Sequence, residues 1–117
     1  MTTKREIIDL CLTFAGIYED YPFEEGNWAA MRHEGNGKVF AFVLQRGDGK
    51  IWVNVKHTVE DGIVWRELYD SIVPAYHMNK VHWSSIILDG SVKDSVIHKL
   101  LEDSYDLTKP KRRTKNA

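Results

Sequence analysis

The pattern of hydrophobic and polar positions at the start of the chain predicts an amphipathic helix. Apolar residues recur at helical spacing through residues 7–14. Thr3 and Glu6 form the signature of a capping box ahead of this run, and Gly16 marks its end. Cys11 lies within the apolar stripe, where a small side chain fills core space, so we predict that it is a core residue.

An acid-rich segment follows, with the sequence YEDYPFEEGN at residues 18–27. Pro22 restricts Tyr21 to an extended or turn conformation. We expect Tyr21 and Phe23 to plug the core beneath the solvated acids. Adjacent carboxylates in an exposed loop lack the apolar pocket that raises the pKa of one of them, so we expect no acid–base chemistry here.

Three runs of strand-like residues come next, at positions 28–33, 39–45 and 51–57. The second run is apolar on both faces, as in a covered central strand. The third run alternates, and one of its faces consists of Trp52, Asn54 and Lys56. The connecting segments EGNGK and RGDGK contain Asn-Gly and Asp-Gly, which favour tight hairpin turns. We therefore predict two consecutive β-hairpins.

The remaining elements are two helices with one or two strands between them. Thr58 with Asp61 starts the second helix, whose inner side we assign to the aliphatic residues Val59, Ile63, Val64 and Leu68. Residues 83–88 are typical of a strand. Ser91 with Asp94 is predicted to cap the last helix. The apolar face of that helix consists of Val96, Ile97, Leu100, Leu101 and Tyr105.

This order of elements predicts an α+β fold, a two-layer sandwich in which three helices cover one face of an antiparallel sheet of about five strands. We assign residues 1–108 to a single domain and residues 109–117 to a basic, disordered tail. The chain has 43% hydrophobic residues, which is typical of a folded domain, yet its longest apolar run is too short to span a bilayer. One cysteine and no signal-peptide pattern favour the cytoplasm.

The net charge of −1 conceals an uneven distribution. The tail carries five of the sixteen basic residues and no acid, so residues 1–108 carry eleven basic and seventeen acidic side chains, a net charge of −6. A body of that sign is a poor nonspecific ligand for a polyanion. The tail either supplies the missing attraction or is a solvated end of the chain.

The stretch PAYHMNKVHW at residues 74–83 concentrates histidine, asparagine, lysine and aromatic side chains. Together with EDYPF, LDGSV and the SYDL of the last helix, it makes residues 3–107 resemble the MmcQ/YjbR family of small bacterial proteins. The resemblance implies an α+β fold similar to the frataxin-like and secretion-chaperone-like sandwiches. It also implies a double-wing arrangement, for which DNA binding has been proposed.

We predict DNA as the partner. In the loop, Lys80 is suited to a phosphate and Asn79 to an adenine edge, while Trp83 or Tyr76 is suited to stacking on an unpaired base. The predicted nucleic-acid-binding residues are Lys80, His82, Asn79, Arg46, Lys50, Lys111, Arg112 and Arg113. Asn79 is equally suited to shaping the turn, and His82 to holding the loop through hydrogen bonds.

The alternative partner is a protein or a small ligand, bound at the open sheet face and the adjacent loop by Trp52, Asn54, Lys56 and His77. We expect no membrane association, no cofactor and no metal, since the five-residue spacing of His77 and His82 suits neither a helical nor a strand ligand pair. No catalytic motif is present, and we predict a protein that is not an enzyme. Pairing of Ser84 with His82, or of Cys11 with a histidine, stays open.

Overall fold

The computed structural model describes residues 1–24, 26–75 and 77–111. They form three helices and six strands, in the order α1 (Lys4–Leu12), β1 (Ile17–Asp20), β2 (Trp28–His33), β3 (Val39–Gln45), β4 (Ile51–Lys56), α2 (Val59–Leu68), β5 (Ile72–Pro74), β6 (Trp83–Ile87) and α3 (Asp94–Thr108). All strand pairs are antiparallel, and the sheet has the order β1-β2-β3-β4-β6-β5.

The core lies between the sheet and the three helices, which confirms the predicted two-layer α+β sandwich. Ile7, Ile8 and Cys11 of α1 join Ile97, Leu100 and Leu101 of α3 in one buried cluster with the inward residues of the sheet. Trp65 and Tyr69 of α2 pack against the same cluster. All three helices therefore cover one face of the sheet.

The sheet has six strands where about five were predicted, because β1 lies within the acid-rich segment. Only Ile17 of this four-residue strand is buried. Its two carboxylates are paired: Arg5 contacts Glu19 at 3.4 Å and Arg32 contacts Asp20 at 2.8 Å. β1 is a short edge strand whose acids pair with distant arginines. Its sequence therefore shows little of the hydrophobic alternation that identifies a strand.

The capping box of α1 and the two hairpin turns form as predicted. The Thr3 hydroxyl accepts a hydrogen bond from the Glu6 amide, and the Glu6 carboxylate accepts one from the Thr3 amide, which completes the capping box. Both hairpin turns are built alike: the side chain of Asn36 or Asp48 accepts the amide hydrogen two residues later. In each turn, a glycine with positive φ lies between the residue whose side chain accepts and the residue whose amide donates.

The predicted inner side of α2 is wrong. Val59, Ile63, Val64 and Leu68 are 40–64% exposed. The helix instead faces the core through Gly62, Trp65 and Tyr69. The reason is the close approach of Gly62 to the ring of His57, at the end of β4. The cap at Thr58 is as predicted, since its hydroxyl accepts the Asp61 amide hydrogen.

Two further local predictions are wrong. Ser91 does not cap α3, whose N-cap residue is Lys93, because the Ser91 hydroxyl donates to Asp89 Oδ1 at 2.6 Å. Tyr21 and Phe23 do not plug the core: each is more than two-fifths exposed. The ring of Phe23 lies edge-on to Trp28, on the side of the sheet away from the helices.

Candidate nucleic-acid interface

The second face of the sheet carries no helix within the described part of the chain. Val53 and Val55 of β4 point into the core, so alternation turns Trp52, Asn54 and Lys56 to the opposite face, as predicted. Strand pairing extends this face sideways. One row across it consists of Trp28, Leu44, Trp52 and Ile87, and the next consists of Ala30, Phe42, Asn54, Ser85 and Val73.

Four half-buried aromatic residues dominate this surface, and we call them the aromatic face: Trp28, Phe42, Trp52 and Trp83. Trp28 meets Phe42 edge-on, with ring centroids 5.5 Å apart, and Phe42 lies 6.3 Å from Trp83. The sequence predicted Trp52 for this surface and considered Trp83 for base stacking. Trp28 and Phe42 were missed, because only the strand order shows that they share one face.

The aromatic face is bordered by cations. The Arg46 guanidinium lies 4.4 Å from the ring centroid of Trp52. Arg32, which sequence reasoning missed, donates to Asp20 at 2.8 Å and to the Gly37 carbonyl at 2.9 Å. Lys56 ends β4 opposite Trp83. The helices carry nine acidic and four Lys or Arg residues, whereas the strands carry two of each, so the two layers differ in charge.

Beneath the aromatic rings, the face has a polar floor. Asn54 and Ser85 lie side by side on β4 and β6, and the Ser85 hydroxyl donates to the Asn54 side-chain oxygen. Both residues are fully buried. Asn54, predicted as a contact residue, is therefore placed to support the surface from within.

The loop of residues 75–82 is held by its own hydrogen bonds. The side-chain oxygen of Asn79 accepts the amide hydrogens of Val81, at 2.9 Å, and His82, at 3.4 Å. The carbonyl of His82 accepts the His57 amide hydrogen at 2.9 Å. Asn79 therefore shapes the turn. Its side-chain oxygen already accepts backbone hydrogen bonds, whereas a bidentate contact with adenine would need that oxygen.

The predicted nucleic-acid-binding residues fall into separate groups. Lys80 and His82 are exposed in the loop beside the end of β4, whereas Arg46 and Lys50 flank the turn at its start. These positions are about 17 Å apart along the strand, at ~3.4 Å per residue. Arg46 contacts the aromatic face at Trp52, whereas the Lys80 carbonyl accepts a hydrogen bond from Arg66 of α2 at 3.4 Å. His77 is exposed in the loop with φ of 59°.

The tail is only partly described. Lys111 is exposed, and the preceding Pro110 lies so close to the β2–β3 turn that a Cβ on Gly35 would come within 2.6 Å of its ring. The described start of the basic segment therefore lies beside the β2–β3 turn. Arg112 and Arg113, like Tyr76, lie outside the described residues.

A buried polar chain anchors this loop to α2, and nothing in the sequence spacing indicated it. His57 Nδ1 lies 2.8 Å from the Thr58 carbonyl, which only accepts, so Nδ1 carries the proton and Nε2 accepts from the Ser84 hydroxyl at 2.7 Å. Arg66 donates to the same hydroxyl at 2.7 Å. Ser84 is thus paired with His57, where His82 had been considered, and its exposed fraction is 1%.

The other nucleophile considered, Cys11, lies in the core. Its thiol is fully buried among apolar side chains of α1 and the sheet. This burial raises the pKa of the Cys11 thiol to about 12, so the thiol stays protonated at neutral pH. The prediction of a core cysteine is confirmed.

Burial of His57 makes stability depend on pH. Desolvation lowers the pKa of His57 below its ordinary value, and burial does the same for His33. The unfolded chain therefore binds more protons at mildly acidic pH. We expect stability to be full above about pH 6.5 and to fall at lower pH, with a slope of up to about 1.4 kcal/mol per pH unit for each histidine.

Urea unfolding at several pH values across this range measures the effect. His57→Gln should reduce the slope and leave the part due to His33. An unaltered slope in His57→Gln would show that this histidine does not stay neutral in the folded protein.

Metal and membrane signals are absent from the described residues. They contain no group of three or more His, Cys, Asp or Glu side chains placed to hold a metal ion. Within the same ranges, no helix has the length and apolar character needed to cross a membrane. The molecule is defined by its fold: a small two-layer α+β domain with an aromatic, cation-bordered sheet face opposite an acidic helical layer.

The chain belongs to the YjbR family, whose model matches residues 12–107. It is 33% identical to the uncharacterized protein YyaQ of Bacillus subtilis, over 93% of this chain and all of that protein. It is 29% identical to the uncharacterized protein YjbR of Escherichia coli K12, over 88% of this chain and 84% of that one. The resemblance seen in the sequence motifs is confirmed.

Solved structures agree. A crystal structure of a Pseudomonas syringae protein has a TM-score of 0.82 at 31% identity, covering 91% of this chain and 98% of that one. Deinococcus radiodurans protein DR2400, described with the family-model domain DUF419, has a TM-score of 0.81 at 27% identity, covering 92% of this chain and 78% of that one. These matches establish the α+β fold.

Proposed function

We propose that the chain is a non-enzymatic protein that binds single-stranded DNA across the aromatic face. One observation carries the proposal: three of the four tryptophans and Phe42 share a sheet surface with Arg32, Arg46 and Lys56, opposite an acidic helical layer. Aromatic rings on a sheet, bordered by cations, are how many proteins bind unpaired bases and the adjoining phosphates.

The chemistry favours a single strand over a duplex. Unpaired bases stack on aromatic rings whatever their sequence, and each such contact contributes about 1–3 kcal/mol. Arg46 already lies over Trp52, so a base entering there displaces the guanidinium toward the phosphate backbone. Reading a duplex groove needs protruding base-reading groups, and the oxygen of Asn79 is already engaged within its loop.

The charge distribution orients the strand. A polyanion approaching the helices meets the excess of acids there, whereas one approaching the aromatic face meets Arg46, Lys56 and Arg32, the last of which is paired with Asp20. Lys50 lies in the β3–β4 turn, where its carbonyl accepts the Arg46 amide hydrogen, and Lys80 lies in the loop before β6. We therefore assign the phosphates to these five cations and leave the basic tail a supporting electrostatic role.

The test is a titration of labelled oligo-dT, followed by fluorescence anisotropy at roughly 50 to 200 mM salt. We expect binding that weakens with salt, with a slope of about −0.7 per phosphate neutralised and a shallower slope when residues 109–117 are deleted. A duplex should bind more weakly than the single strand. Undetectable binding to both at low salt would contradict the proposal and favour a protein or small ligand on the same face.

A further inference from the structure

The outward side of α2 is an exposed aliphatic surface. Val59 and Ile63, four residues apart, form one ridge, and Val64 and Leu68 form a second. Their exposed fractions are 40%, 55%, 51% and 64%, although α2 has only ten residues. Exposed apolar side chains that lie one helical turn apart can form an interaction surface, whereas isolated ones are ordinary. We call these four residues the α2 ridges.

Acidic residues accompany the α2 ridges. At 100° per residue, Glu60 and Glu67 fall between the two ridges on the outward side. At the edge of α2 toward α3, a shallow groove is lined by Thr58, Asp61, Lys99, Asp103, Asp106 and Leu107. Leu107 is itself 46% exposed. The surface therefore combines aliphatic contacts with an excess of negative charge.

We propose that the ridge of Val64 and Leu68 binds a basic amphipathic helix of another protein. Such a helix packs its apolar residues against that ridge and places its lysines or arginines beside Glu60 and Glu67 on one side and Asp61 on the other. A second copy of this chain fits poorly, because its α2 presents the same acids. The chain's own tail, KPKRRTKNA, has the charge and lacks large apolar side chains.

This proposal is independent of DNA binding, since the α2 ridges and the aromatic face belong to opposite layers of the fold. A chain that bound both partners would join a basic protein to single-stranded DNA. The two ligands would not compete, because they occupy different surfaces. Either activity can fail while the other persists, so the experiments below and those with oligo-dT are read separately.

The probe is a synthetic amphipathic peptide with leucines along one helical face and lysines elsewhere. The control is the same peptide with every lysine replaced by glutamate. We expect the lysine peptide to bind the full chain and the glutamate peptide not to bind. Val64→Ser and Leu68→Ser should each weaken binding by about fivefold or more. Val81→Ser, which changes a 52% exposed valine outside α2, should leave binding unchanged.

Several outcomes overturn the proposal. Equal binding of the two peptides would show that charge complementarity does not drive binding. An equal loss of affinity in Val81→Ser would contradict the assignment of the site to α2. Tighter peptide binding after deletion of residues 109–117 would make the tail the natural occupant. A dimer of the full chain that Leu68→Ser dissociates would make a second copy the occupant. Circular dichroism of each variant checks that the fold is retained, as expected for surface positions.

Discussion

Gly62→Ala lowers the free energy of unfolding by about 3 kcal/mol. A Cβ at this position would lie 2.2 Å from His57 Cε1 and 2.5 Å from Nδ1. The ring cannot turn aside freely, because the Thr58 carbonyl holds one nitrogen and the Ser84 hydroxyl holds the other. Relief of the clash therefore needs α2 to move off the core or the buried hydrogen bonds to break.

Urea unfolding measures this effect, and its sign is diagnostic. In an open helix the same change stabilises by up to about 1 kcal/mol, because alanine is the better helix former. In a His57→Ala background the clash is absent, so Gly62→Ala should there be neutral or stabilising. Gly47→Ala, in open space on a turn, should have a small effect. A stabilising Gly62→Ala in the natural chain would refute the close packing of α2 on His57.

The second large effect concerns the proposed DNA surface. Trp52→Ala should weaken oligo-dT binding by about tenfold to a hundredfold, because a stacking platform is lost. Lys56→Glu should also weaken oligo-dT binding, because it reverses a charge beside Trp83. It should lower the slope of log affinity against log salt concentration as well. Lys99→Glu is the matched control: the same charge reversal on α3 should change affinity less than about twofold, because Lys99 lies in the helical layer.

The comparison of Lys56→Glu with Lys99→Glu separates location from total charge. Equal losses in the two variants would mean that the strand responds only to net charge, which is inconsistent with a defined face. Unfolding curves for Trp52→Ala check that the affinity change does not follow from loss of structure, since Trp52 is half-buried and packs against Arg46.

Signals that depend on neighbouring residues were readable from the sequence. The capping box of α1 and the two hairpin turns need only side chains within three positions of each other, and each formed as predicted. The orientation of α2 was not readable, because two aliphatic ridges compete with the stripe of Gly62, Trp65 and Tyr69. Only the ring of His57, brought by β4, decides between them.

The candidate site was partly predictable for the same reason. Alternation along β4 identified Trp52 and Lys56 as one face. Joining them to Trp28 and Phe42 needs the pairing of β2 with β3 and of β3 with β4. Asn79 was predicted as a base-contacting residue because of its side-chain amide. In the structure, its side-chain oxygen instead closes the turn of its own loop.

The most direct test of the central claim uses the four tryptophans as internal reporters. Trp28, Trp52 and Trp83 lie on the aromatic face, whereas Trp65 packs beneath α2. The measurement is the set of indole N–H signals in a heteronuclear NMR spectrum during titration with oligo-dT at low salt. DNA binding on the aromatic face predicts shifts of the three sheet signals with little change at Trp65. Unchanged sheet signals, or a shift confined to Trp65, would contradict it.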